Sequence, residues 1–565
     1  MVLNILIDFI FDVVFNFMVQ PKFLLTTLFM FLFFSNSFYA QVKSIDDFEN
    51  THGWSVVKSD GVNLNTSNDF GVNGNAIKLD YEFIKGTGYG GIQKLFPIDL
   101  PDNFEFTFNL KAISPSNNFE IKFLDSSGQN VWWVNNKNYD FPNDWKKFRI
   151  KKRHITFAWG PTDDQLLKRI NRIEFTIASF VGGKGTIWID DLKFTPLEPE
   201  TSIYPTPLVT ASSFLKGHNP NFILDNLPQT FWKSDGVVEQ SIIVDFKARR
   251  EFGGLKIDWA KDFFAKAFDI FLSENGDTWE KVYSVSSNQS DVSFINLPEA
   301  EAKYLKIKLL ESNSEKSFGV KEISFLSVKN SFTLNDFLLY SAQNSSRGNY
   351  PRYFLDEASY WTVSGVNNDI KEALINEDGI IEVDKASFSI EPMLTVNAKL
   401  FNWSNVQSIQ SLEENYLPIP KVNWNCEGMN LAIKAFTNGE ANKNSILYLK
   451  YTLTNNSSSQ KNGNLFLLIR PFQVNPHYQF LNLAGGVAKI NSIGENNGKI
   501  YINDEKVVLP ITAYNSFGTS AFDEGNIVDL LKENNFPQNK AVVDPTNLAS
   551  GVLKYEYDLK EGEAK

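Results

Sequence analysis

The feature that most constrains this chain is a period of two. Phe104, Phe106, Phe108 and Leu110 alternate with Glu105, Thr107 and Asn109, which is the pattern of a strand with one buried face. The same alternation returns at Phe119, Ile121 and Phe123, at Ile173, Phe175 and Ile177, and at Ile242, Val244 and Phe246. It recurs at Leu305, Ile307 and Leu309 and at Leu447, Leu449, Tyr451 and Leu453. Turn-forming runs lie between: Ser126-Ser127-Gly128, Gly182-Gly183, Asn275-Gly276-Asp277 and Asn455-Asn456-Ser457. Helical spacing is nearly absent, and Gln165 to Ile170 and Asn526 to Glu533 are the best helix candidates. Many short strands between turns predict an all-β chain of sandwiches, not βαβ units.

At about 150 residues per domain, 565 residues imply three or four domains. Four prolines, Pro196, Pro199, Pro205 and Pro207, mark a stiff linker. A polar stretch over 327–333 marks a second break. The predicted domains are therefore 45–196, 205–328 and 333–565. Ahead of them, Lys22, the apolar run Phe23 to Phe34 and the shorter polar Ser35 to Ala40 follow the order of a secretory signal. The expected signal peptide is 1–40, the rival being an uncleaved anchor, the one membrane attachment foreseen. The single cysteine, Cys426, excludes an intramolecular disulfide. An exported chain without disulfides points to secretion or a bacterial cell envelope.

Net charge is -12, the wrong sign for a protein that wraps nucleic acid. Four scattered histidines, His52, His154, His218 and His477, give no close-spaced metal centre. No nucleophile elbow, phosphate-binding loop or dinucleotide fingerprint occurs. The acids Asp356, Glu357, Glu377, Asp378 and Glu391 read as solvated faces, so no catalytic residue is assigned. An aromatic cluster does stand out: Trp132, Trp133, Tyr139, Phe141, Trp145 and Trp159, interleaved with Asn130, Asn135, Asn136 and Asn138. Aromatic rings stack on the apolar faces of sugars while amides bond the hydroxyls. Trp132 and Trp133 must point to opposite sides of a strand, so one of them is core. The basic run Lys146 to Arg153 alternates with Phe148 and Ile150 and reads as a strand with its charges outward.

Three resemblances follow. Asp46-Asp47-Phe48-Glu49-Asn50 with Gly53-Trp54 opens the first domain, and Ile187 to Phe194 closes it. This resembles the galactose-binding-like carbohydrate-binding jelly rolls, whose first and last strands lie side by side. It implies a structural calcium held by Asp47, Glu49 and Asp191.

Thr210-Ala211-Ser212-Ser213, Ile223-Leu224-Asp225-Asn226, Thr230-Phe231-Trp232-Lys233-Ser234, Gly254 to Trp259, Phe268 to Ser273, Gly276 to Glu280 and Lys321-Glu322-Ile323 run in order through the second domain. This resembles the discoidin, or coagulation factor 5/8 type C, family. It implies a jelly roll with a core Trp232, calcium ligands Asp225, Thr230 and Glu322, and ligand-binding loops carrying His218, Trp259, Asp262 and Phe263. Asp225-Asn226-Leu227 departs from the family's Asp-Gly-Asp, so its second acidic ligand is missing.

Asn349 to Phe354, Tyr360 to Val366, Phe388 to Pro392, Tyr416 to Pro420 and Arg470 to Pro476 resemble the β-supersandwich that precedes an (α/α)-barrel in glycosidase-like proteins. That resemblance places catalytic carboxylates in a barrel beyond Lys565. The expected partner is a polysaccharide or other glycan, bound at Trp132, Trp133, Tyr139, Trp145, Trp159, His218, Trp259, Asp262 and Phe263. The expected state is a monomer. The alternative is a surface adhesion or assembly protein that binds protein or lipid.

Overall fold

The computed structural model describes residues 42–199, 203–479 and 483–565. The signal segment 1–40 lies outside these residues. The chain forms two compact units, one ending at Ser202 and one beginning at Ile203. It is all-β: antiparallel sheets make both units, with short helical segments between strands.

The first unit is a sandwich of two six-stranded sheets. One runs Val62–Phe70, Asn75–Phe83, Lys184–Pro196, Phe104–Ile113, Lys146–Lys151, with Lys43–Asp46 against Lys184–Pro196. The first strand thus pairs with the last, as the jelly-roll resemblance implies. The other runs Thr156–Trp159, Val131–Tyr139, Asn117–Leu124, Arg169–Ala178, Tyr89–Asp99, Trp54–Lys58. Alternation explains the core between them. Phe104, Phe106, Phe108 and Leu110 meet Phe119, Ile121, Phe123, Ile173, Phe175 and Ile177, all essentially inaccessible. On Lys146–Lys151, Phe148 and Ile150 turn to that core and Arg149 pairs with Glu105. Lys151 departs from the outward pattern and is buried.

The second unit begins with a seven-stranded sheet whose two longest strands, Gln240–Trp259 and Val292–Ser312, are 20 and 21 residues long. Their pairing slips between Asp245 and Arg250. Bulges of this kind bend a strand, so one strand serves both halves of a jelly roll. Trp232 is core, as expected. Beyond it lie an eight-stranded sheet, a four-stranded sheet over 407–455, and a second four-stranded sheet over 492–543. The first two enclose one core, with Trp424, Leu431, Ile433 and Ile469 at its centre.

Among the described residues there are two α-helices. Ile527–Lys532 matches its sequence signal, with Asn526 as N-cap accepting from Val528 N at 3.0 Å. Leu334–Gln343 carries a Thr333/Asp336 capping box and buries Phe337, Leu338, Ser341 and Ala342 on one face. Gln165 to Ile170 is not helical: 165–168 is loop and Arg169–Ala178 is strand. A six-residue helix has too few hydrogen bonds to offset nucleation unless packing supports it. The acids of the third region also differ from the sequence reading. Asp378 is buried in a forked ion pair with Arg352, at 2.8 and 2.5 Å, and Glu391 is buried 3.2 Å from Arg470. Burial raises the carboxyl of Asp378 to about 6, against the pull of Arg352.

Candidate functional site

The outer face of the sheet built on Asn117–Leu124 carries the most developed polar site of the first unit. Lys122 stands opposite Trp133 on one neighbouring strand and Glu174 on the other. Glu120 stands opposite Asn135 and Thr176. Lys122 is 2.8 Å from Glu174 and 3.1 Å from Glu120. Thr176 Oγ1 donates to Glu174 at 2.6 Å. These groups point away from the core, yet Lys122 is only 8% exposed. They form a polar floor of low exposure. Burial alone would lower the Lys122 ammonium, but Glu174 and then Glu120 outweigh it and raise it above its usual value.

Aromatic rings flank this floor. Trp159 is 48% exposed and meets Trp133 edge-on, at 5.4 Å and 86°. Tyr89, 44% exposed, has Lys122 Nζ 5.5 Å from its ring centroid. Asn135 Oδ1 is buried with no hydrogen-bond partner. At Gly91, opposite Thr176, a side chain would strike the backbone of Phe175. The floor there is bare peptide.

The other aromatic candidates divide. Trp132 does not face this site. It is 6% exposed, packs edge-on to Phe157 at 5.5 Å and donates its Nε1 hydrogen to Gln165 O at 2.6 Å. Alternation sends it inward because Trp133 is outward. Tyr139 closes the end of the core against Phe119 and Phe141. Trp145 is half-buried in the loop before Lys146–Lys151.

In the second jelly roll Trp259 is core, not loop. It is 1% exposed, packs on Phe268 and donates to Ser293 Oγ at 2.9 Å. It ends a long strand on the inward position. Phe263 is half-buried under Lys233, whose Nζ lies 3.7 Å from the ring centroid. Phe231 and Phe263 both approach Gly319. His218 packs against Phe231 with ring centroids 4.3 Å apart and planes tilted by 55°, and its Nδ1 lies 3.0 Å from Phe231 O. Asp262 is exposed beside them in the sequence. The loop site is thus Phe231, Phe263, Lys233 and His218. Phe231 and Lys233 lie on either side of Trp232 in the motif Thr230 to Ser234, and alternation about an inward Trp232 is the signal that could find them.

The metal candidates also divide. Asp225, Thr230 and Glu322 come together: Thr230 Oγ1 donates to both Asp225 oxygens at 2.9 Å, and Glu322 accepts from Asn226 N at 3.0 Å. Burial, then Asp225 and Asp258, raise the Glu322 carboxyl to about 7. In the first unit Asp191 is paired with Lys193 at 2.5 Å, and Asp47 is exposed, accepting only from its near neighbour Glu49 N. Glu49 instead reaches Asn75, beside the turn Gly71–Gly74. The buried Asp190 meets the same turn, accepting from Val72 N at 2.7 Å. The carboxylates that reach this turn are Glu49, as the resemblance implies, and Asp190 in place of its neighbour Asp191. Among the described residues no group of three or more His, Cys, Asp or Glu side chains is placed to hold a metal.

Several solved structures are similar to parts of this chain. One is the family 11 carbohydrate-binding module of cellulosomal cellulase Lic26A-Cel5E of Clostridium thermocellum. It is 21% identical over 29% of this chain and 99% of its own, with a TM-score of 0.25. Chitosan-binding module 2 of the Paenibacillus sp. IK-5 chitosanase/glucanase, solved with chitotriose, is 21% identical. It covers 21% of this chain and 95% of its own, with a TM-score of 0.20. The family 32 module of Clostridium perfringens NanJ, solved with galactose, is 16% identical over 21% and 92%, with a TM-score of 0.20. No curated protein matches the chain. The family model that matches is the F5/8 type C domain, over residues 209–322. That segment, with its inward Trp232 and its Asp225–Thr230–Glu322 corner, is an F5/8 type C (discoidin) domain.

Proposed function

We propose that this chain is a glycan-recognition protein whose first jelly roll binds a neutral polysaccharide without covalent chemistry. The observation that carries the reading is the little-exposed Lys122–Glu120–Glu174 floor with Trp133, Trp159 and Tyr89 around it. The rings stack on sugar faces. Asn135 Oδ1, both carboxylates and the ammonium bond the hydroxyls. One cation against two carboxylates leaves the floor net negative, which disfavours an acidic sugar. The F5/8 type C loops, with Phe263, Phe231, His218 and Lys233, form a second and weaker site. Two weak sites on one chain raise the apparent affinity for a long polymer.

The reading extends to an exported protein and to the non-catalytic part of a larger glycoside-hydrolase-like assembly. Calcium belongs to it as a structural ion. Asp225, Thr230 and Glu322 supply hard oxygens at one corner, and Glu49 with Asp190 at the other. The raised Glu322 carboxyl fits a place where a cation would relieve crowded negative charge.

The test is a glycan array with the full chain, its Trp159→Ala variant and its Phe263→Ala variant, with calcium and with chelator. Binding to a neutral glycan class that falls at least tenfold in Trp159→Ala supports the reading. Binding to no glycan, with capture of protein or lipid instead, replaces it with the adhesion alternative.

A further inference from the structure

The outer face of the sheet Gln407–Glu413, Leu417–Cys426, Met429–Gly439, Ser445–Asn455 has a charge pattern that packing does not explain. Its inner face is core: Val422, Trp424, Leu431, Ile433, Ala435 and Leu453 are buried. On the outer face, register places Lys421 opposite Lys434, and Lys434 opposite Lys450. Three ammonium groups thus form one row across three adjacent strands. Like charges directly opposite one another destabilise a sheet. Among the described residues one carboxylate pairs with them: Glu413, 2.6 Å from Lys434. The hydrogen bond from Lys434, then the fields of Lys434, Lys421 and Lys450, hold the Glu413 carboxyl below its usual range. The row therefore keeps an excess of two positive charges in a chain of net charge -12.

The neighbouring rows add shape. Phe436 and Tyr448 face each other one step along the strands, stacked at 5.3 Å and 13°. On the other side of the lysines come Asn423, Ala432 and Thr452, then Asn425, Asn430 and Thr454. A ring platform, a line of cations and a field of amides share one open face. Adjacent strands lie about 4.8 Å apart, close to the step of one sugar ring. A chain with an anionic group on each ring, laid across the strands, meets one ammonium per strand.

We propose that this face binds an anionic polysaccharide, carboxylated or sulfated, at Lys421, Lys434 and Lys450, with Phe436 and Tyr448 stacking the adjoining ring. It is separate from the neutral-glycan site of the first unit and does not depend on it. Nucleic acid is disfavoured, because a phosphate backbone is held by about 6–10 contacts and this row offers three cations.

The test is titration of the full chain with a polyuronate, dextran sulfate and neutral dextran, with duplex DNA and anionic phospholipid vesicles as further arms. The parent binds the polyuronate, the dextran sulfate or both, which separates carboxylate from sulfate, and binding weakens as salt rises. The triple variant Lys421→Gln/Lys434→Gln/Lys450→Gln loses at least tenfold while keeping its thermal transition. Tyr448→Ala loses several-fold. Glu413→Gln gains several-fold, a change that no folding defect would mimic. Trp159→Ala leaves this binding unchanged, so failure of the first-unit site and failure of this one are told apart. Equal binding by parent and triple variant overturns the proposal. So does absence of binding to both anionic polymers, or equal affinity for DNA or vesicles.

Discussion

Lys122→Met tests whether the floor of the first jelly roll is desolvated. The substitution keeps an unbranched apolar side chain one atom shorter and removes the charge. It leaves Glu174, 2.8 Å away, and Glu120, 3.1 Å away, without their cation in a site where each side chain is about one-tenth exposed. Breaking a buried pair by removing one partner costs about 3–5 kcal/mol. The neighbouring Thr176 hydroxyl still serves Glu174, so the lower end, about 3 kcal/mol, is expected. For a unit near 150 residues, about 2–4 °C of melting temperature is lost per kcal/mol, or roughly 6–12 °C in all. Scanning calorimetry of the full chain resolves this as a shift in one transition, with that of the second unit unmoved.

The pH dependence fixes the cause. In the parent, the raised Lys122 contributes stability at every pH below the usual lysine value of about 10.4. That contribution is lost as pH rises through the higher folded value. In the variant, protonation of the stranded carboxylates relieves the loss, so the deficit is large at pH 7 and shrinks towards pH 4. A deficit under about 1 kcal/mol at pH 7, a surface-pair value, would refute the desolvated floor. So would a deficit of equal size at both pH values.

Other outcomes follow from the same geometry. Glu322, raised to about 7, holds a proton in the folded state that the unfolded chain has released above 4.5. Stability of the second unit therefore falls as pH rises from 4.5 to 7. Glu322→Gln removes about 1–2 kcal/mol of that slope, after allowance for solvent screening of a partly exposed group, as urea melts at pH 5 and pH 7.5 will show. If calcium sits at this corner, millimolar calcium raises the parent's transition at pH 7.5 and chelator lowers it, with Glu322→Gln responding less. Trp259→Ala costs about 3–5 kcal/mol as a core truncation, and any glycan binding per folded molecule is retained. Thr333→Ala removes the cap of Leu334–Gln343 and costs about 1 kcal/mol in the same melts.

Inward residues were legible because alternation is a local property. Phe104 to Leu110 and Ile173 to Ile177 needed no knowledge of their partners. Their outward complements were not legible. Glu120 and Lys122 sit in the alternation like any solvated positions, and so does Glu174. What makes them a site is the pairing of Asn117–Leu124 with Arg169–Ala178, strands some fifty residues apart in the chain. Asp190 was missed for a smaller reason. Asp191 has a positive φ of 55° and the pairing slips beside it, so a count by alternation selects the wrong one of two adjacent acids. The helix Leu334–Gln343 did carry a local sign, Thr333 followed by Asp336, which the strand-rich context obscured.

The F5/8 type C domain is not a loose appendage of the sheets that follow it. Tyr283 donates to both oxygens of Asp523 at 3.0 Å, and Ser287 Oγ donates to Glu524 at 2.9 Å. Gln289 N bonds Glu524 O at 2.9 Å, and Asn535 bonds the Gln289 side chain at 2.9 Å. Burial, opposed by the bond from Tyr283 and assisted by Asp544 and Glu524, raises the Asp523 carboxyl to about 7. A buried, charge-bearing joint of this kind has few alternative geometries, because sliding it strands a carboxylate without its donor. The loops around Phe263 and the lysine row on Lys421, Lys434 and Lys450 are therefore held at a fixed mutual orientation. A flexible tether gives an effective concentration set by its length, whereas a rigid joint rewards only those polymers whose spacing fits both faces. If both proposed faces bind, such a joint would make the second unit selective for the geometry of a polysaccharide as well as for its chemistry.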